Sequence, residues 1–139
     1  MKTWIFFATA LSFYPTENFG KIILTEIMAD PSPNLGFIPE TEYLEIYNSD
    51  STYFSLKNFV LKIGNTSLIL PDYSLSGGEY LILTKSIDSL ANNQLILSRF
   101  PALNNSGTSI SLSDTLGTLI FSVNYTDKWY QESSKKSGG

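Results

Sequence analysis

Residues 104–127 read NNSGTSISLSDTLGTLIFSVNYTD, and their pattern decides the fold. Ile110 and Leu112 alternate with serines; after a break, Leu119, Phe121, Val123 and Tyr125 alternate with Ile120, Ser122, Asn124 and Thr126. Side chains that change face at every residue specify extended backbone. Between the two runs stands Asp114-Thr115-Leu116-Gly117, with Asp where a type I turn opens and Gly where it closes. The two runs therefore fold back as a hairpin. A hairpin with one apolar face needs a second layer to cover it, so the rest of the chain must supply that layer.

The rest of the chain does so with short strands. Ile22–Met28, IILTEIM, sets Ile22, Leu24 and Met28 on one face and Ile23 and Ile27 on the other, which predicts a deeply placed strand. Asp30-Pro31-Ser32-Pro33 ends it, because proline donates no ladder hydrogen bond and restricts the residue before it; a loop runs on to about Thr41. Residues 42–48, EYLEIYN, alternate again. Leu56 with residues 59–63, then 67–70, Tyr80–Thr84 and 94–98 add further strands. Ser49-Asp50-Ser51-Thr52, Gly64-Asn65 and Gly77-Gly78 supply turns, and residues 86–93 a loop with room for one helical turn. With about eight or nine short, mostly antiparallel strands and no amphipathic helix of useful length, the chain reads as an all-β sandwich or barrel.

Composition narrows the function. At 139 residues there is room for one domain and one core. Hydrophobic residues at 42% against charged residues at 16% argue against disorder. Cys is absent, so there is neither a disulfide nor a thiolate metal site; His is absent too, which removes the usual general base and the usual Ser-His and Cys-His pairs. A net charge of −4 lacks the basic field that supplies most nucleic-acid affinity, so no nucleic-acid partner is expected.

The N-terminus carries Lys2 and then an apolar run, WIFFATALSF over residues 4–13, too short to span a bilayer. It reads as a secretory signal with Ala10 and Ser12 fitting cleavage after Ser12; the competing reading is a strap packed on the domain. Residues 1–20 are then a signal and short lead-in, 21–130 the sandwich domain, and 131–139, QESSKKSGG, a polar linker or truncation point. The expected location is secreted or at the cell surface, without a transmembrane segment.

Several landmarks recur in one order: ILTEIMADPSP at residues 23–33, EYLEIYN at 42–48, LKNFVLKIG at 56–64, LPDYSLSGGEYLILT at 70–84 and FPALNNSGTSISLSDTLGTLIFSVNYTDKWY at 100–130. As a set they resemble the lamin tail domain in its bacterial secreted form. The resemblance implies an immunoglobulin-like β-sandwich without the cystine. It implies a non-catalytic structural or interaction module of a larger exported protein, whose partners are other domains of that protein or a cell-surface protein. This chain departs from the animal form in being acidic and in lacking a coiled-coil rod, so chromatin binding is not carried over.

Three acids are the candidate metal ligands. By strand parity Glu26 shares a face with Leu24 and Met28, and Glu42 with Leu44 and Ile46, so both carboxylates point inward near strand ends, close to the loop that begins at Asp30. The sharp reading of Glu26, Asp30 and Glu42 is a calcium site built from carboxylates and loop carbonyls. The plain reading is that each accepts backbone N–H bonds or pairs with Lys62 or Lys128, which leaves no cofactor. A glycosidase pair would need the acids a fixed distance apart, which sequence does not supply. Among the aromatics, Tyr53 and Phe54 lie in a turn region and form the candidate interaction surface, for sugars or a partner chain, whereas alternation places Phe59 at the centre of the core.

Overall fold

The protein is described from a computed structural model over residues 22–32 and 39–129. The expected signal, the polar tail, residues 33–38 of the first loop and Tyr130 lie outside the described residues. Ten strands follow one another: β1 (Ile22–Met28), β2 (Tyr43–Asn48), β3 (Phe54–Ser55), β4 (Val60–Ile63), β5 (Thr66–Ile69), β6 (Ser74–Leu75), β7 (Tyr80–Thr84), β8 (Gln94–Ile96), β9 (Gly107–Ser113) and β10 (Leu119–Thr126). A single 3-10 turn, Asp127–Trp129, closes the described chain.

The hairpin of β9 and β10 forms as its sequence dictates. Gly117 N–H donates to the Asp114 carbonyl at 3.1 Å, and Gly117 has φ +83, the left-handed conformation that glycine enters without penalty. Asp114 Oδ1 accepts from the N–H groups of Thr118 at 2.7 Å and Leu116 at 2.8 Å. Chiefly the Thr118 bond, and with it that of Leu116, holds the Asp114 carboxyl below the usual carboxylate range. Across the hairpin Val123 pairs with Ile110 and Phe121 with Leu112, so these four share one face; the register shifts between Leu119 and Phe121, which leaves Leu119 52% exposed and packs Ile120 against the core, against the unbroken alternation expected there.

Two four-stranded sheets carry the fold, in the orders β1-β2-β7-β8 and β10-β9-β4-β5, with β3 and β6 as a separate ribbon. The first sheet contributes Leu44, Ile46, Leu81 and Leu83 to the interior, and the second Leu61, Ile63, Leu68, Ile110 and Leu112. Leu56, Leu75 and Leu103, from outside the two sheets, join the same buried cluster. The centre is aliphatic: Phe59 is only half-buried and meets the Phe54 ring edge-on at 5.3 Å, so it is not the core aromatic that alternation suggested. The reason is a break in the expected third strand. Asn58 adopts φ +62, a conformation that a short polar side chain tolerates, and Phe59 N–H turns back to the Leu56 carbonyl, so β3 and β4 point their side chains independently.

Two further departures bear on function. β8 runs parallel to β7, joined by a loop that the Gln94 side chain ties to Asp88 and Ala91. β1 is not deep: it ends its sheet's order, and Ile23 is 44% exposed. Its two apolar faces have another explanation.

Candidate functional site

β1 pairs with β2 through Leu24↔Ile46, and then the register shifts so that Glu26 faces Glu45 and Ile27 faces Leu44. The extra residue, Thr25, forms a bulge, and a bulge reverses the face of every residue after it. Glu26 therefore lies on the outer face of the sheet, not inward as unbroken parity implied. It stands directly across from Glu45, an arrangement that like charges disfavour. Two hydroxyls support it: Tyr43 Oη donates to Glu26 Oε1 at 2.9 Å, and Thr25 Oγ1 donates to Glu45 Oε1 at 2.7 Å. Among the described residues no cation pairs with either carboxylate; the ion pair of Lys57 with Asp72 lies elsewhere. Burial above all, then the Glu26 bond and charge and the Glu45 charge, push the Tyr43 phenol well above its ordinary range.

The other candidate ligands are not gathered to this point. Glu42 Oε2 accepts the N–H of Leu103 at 2.7 Å, a backbone partner 61 residues away. Asp30 Oδ1 accepts the N–H of Ser32 within its own turn at 3.2 Å. Lys62 projects from the opposite sheet, beside Ser67 and Ser111. Among the described residues no three acids approach one another as metal ligands would. The aromatic pair is divided as well: Tyr53 is 74% exposed, whereas Phe54 packs against the core.

What the structure does bring together is one side of the sandwich. The outer face of the second sheet follows the usual rule, with Ser122, Ser111, Lys62 and Ser67 in one cross-strand row. The outer face of the first does not: Ile23, Tyr47 and Tyr80 form one row, and the Tyr47 and Tyr80 rings lie 4.5 Å apart. Ile23 also belongs to a groove of about 590 Å³ that runs between β1 and β10, the terminal strands of the two sheets. Residues 22–27 all line it, as a groove along a strand edge requires, and Ile120, Phe121, Val123 and Trp129 form the far wall. Trp129, 59% exposed, stands over this opening. A smaller hollow of about 340 Å³ lies on the outer face beneath the 86–93 loop, between Tyr43, Glu45, Tyr80 and Asn93. Period-two alternation found the apolar residues of this side, but neither the bulge at Thr25 nor the pairing of Tyr47 with Tyr80 has a sequence signature.

The sequence profile of the Lamin Tail Domain family matches residues 15–127, most of the chain and all of the described strands. The chain belongs to the lamin tail domain family. A search of curated proteins finds no match. The lamin tail domain is an immunoglobulin-like structural family, in agreement with the two-sheet architecture and the absence of cysteine, and at that coarse level this is a non-enzymatic module. Among the described residues, no helix of this lamin tail domain is long and apolar enough to cross a membrane.

Proposed function

We propose that this lamin tail domain is a non-catalytic interaction module of a larger secreted or cell-surface protein, of bacterial type, and that it engages its partner along the open side between β1 and β10. The observation that carries this reading is the groove itself. Two terminal strands flank it, and terminal strands present backbone N–H and C=O groups that a further chain can satisfy. Contiguous apolar surface rimmed by polar residues marks contact sites on soluble domains. The partner is another domain of the same exported protein or a cell-surface protein, and neither cofactor nor nucleic acid takes part. The leader and the groove are tested together. The exported form should begin at Phe13 by mass spectrometry, and the amides of β1 and β10 should exchange hydrogen more slowly in the intact exported protein than in the isolated chain. Unchanged exchange along both strands removes the groove from the proposal.

A second reading has one observation in its favour. Tyr80, 52% exposed and packed on Tyr47, presents a ring beside the hollow at Glu45 and Asn93, and ring faces with nearby polar groups suit sugars. It predicts that a glycan titration perturbs the Tyr80 amide, and that Tyr80→Ala abolishes the effect.

A further inference from the structure

We infer that the partner of this side is an extended polypeptide segment in which apolar residues alternate with lysine or arginine, laid along the edge of β1 that no other described strand pairs. This rests on the reading of the groove proposed above and adds the chemistry of what fits it.

A strand added beside β1 continues the pleat of the first sheet, so its side chains fall alternately to the two faces. Those turned inward enter the groove against Ile27, Phe121 and Val123, which accept only apolar groups. Those turned outward fall beside Glu26, with Glu45 directly behind it, and beside Ile23, with the Tyr47 ring behind it. The two carboxylates stand across from one another without a cation among the described residues, and Tyr43 and Thr25 hold them in place. A lysine or arginine here relieves their repulsion.

The same residues reject the commonest competitor. A second copy of this chain, itself at −4, would bring its own Glu26 toward the carboxylate pair, and the bulge at Thr25 twists the edge away from a flat strand. Specificity thus comes from what is repelled as much as from what is attracted. An alternating apolar and acidic segment fails for the same reason as the second copy, and an alternating apolar and neutral one gains nothing from the pair.

The test uses the full chain, isotope-labelled, and three synthetic peptides of about eight residues, the length that spans one strand edge, in which valine alternates with lysine, serine or glutamate. The lysine peptide should shift the amides of β1 and bind about fivefold more tightly than the serine peptide, the scale of an exposed ion pair, with the glutamate peptide weakest. The double variant Glu26→Gln, Glu45→Gln, checked for an unchanged melting temperature, should bind the serine peptide as before and lose the preference for lysine. Equal binding of the lysine and serine peptides to the parent chain overturns the charge inference and leaves the groove standing. Shifts confined to the serine-rich face of the second sheet, or no shift in β1 with any peptide, overturn both.

Discussion

Tyr43 and Glu26 are joined by a 2.9 Å hydrogen bond across neighbouring strands, and the bulge at Thr25 makes that contact by turning Glu26 to the outer face. The bond has a consequence at high pH. Tyr43 is buried and its phenol is pushed up by burial and by the two nearby carboxylates, so the folded state favours the protonated ring more than the unfolded state does. A raised value means that the stabilisation is fully present below the ordinary tyrosine range near ~10 and drains away as pH climbs beyond it. In an ultraviolet titration compared with that of Tyr43→Phe, the Tyr43 phenol should stay protonated above the ordinary tyrosine range until the fold is lost. Tyr43→Phe should cost about 1 kcal/mol at neutral pH and make alkaline unfolding less steep. Titration of Tyr43 within the ordinary tyrosine range in the native state would show that the bond is not held in solution.

Asn48 is fully buried at the end of β2, and its amide joins three segments. Nδ2 donates to the carbonyls of Thr52 at 2.8 Å and Leu75 at 3.0 Å, while Oδ1 accepts the N–H of Asp50 at 3.1 Å. Asn48→Leu should destabilise the domain by about 2–3 kcal/mol, since it removes the amide donor from the buried Leu75 carbonyl and from the half-buried contact with Thr52. Asn48→Asp should be at least as harmful, because a carboxylate donates nothing and faces two carbonyl oxygens. Denaturant unfolding measures both, and a neutral Asn48→Leu would contradict the role given to the amide.

Gly77 and Gly78 are adjacent but matter for different reasons. A Cβ on Gly77 would lie 2.5 Å from the Ser51 carbonyl carbon and 2.6 Å from the Asp50 oxygen, both backbone atoms that cannot step aside. Gly78 has φ +76 with open space around it. Gly77→Ala should therefore cost about 2–3 kcal/mol by forcing two turns apart, and Gly78→Ala only about 1 kcal/mol of backbone strain. The order of the two melting temperatures checks this. Equal losses would mean that the 49–52 turn yields easily.

Calcium should leave the melting temperature unmoved. Glu42 is engaged with the Leu103 N–H, Asp30 with its own turn and Glu26 with Tyr43, so none offers a free, convergent oxygen set. A ligand held by the native state alone raises the transition, so a rise with millimolar calcium that a chelator reverses would restore the metal reading.

The sequence was sufficient wherever structure is local. Alternation in residues 110–112 and 121–125 fixes the faces of β9 and β10 up to the bulge beside Leu119, Asp114 and Gly117 fix the turn between them, and the absence of His and Cys limits the chemistry before any coordinate is known. Glu42 accepts a backbone N–H, from Leu103, that sequence alone could not assign to it. Only the tertiary structure decided where the acids of β1 and β2 stand in relation to the interior. One unpaired residue at Thr25 reverses the faces that follow it, and a bulge is set by the register of two strands 20 residues apart, which no local pattern encodes. The position of β1 as a terminal strand, the contact of Tyr47 with Tyr80 and the groove beside β10 arise in the same way, from the order in which strands assemble. Period-two patterning dictates which side chains share a face; which faces remain open to a partner depends on long-range pairing, and that is a property of the assembled sheets.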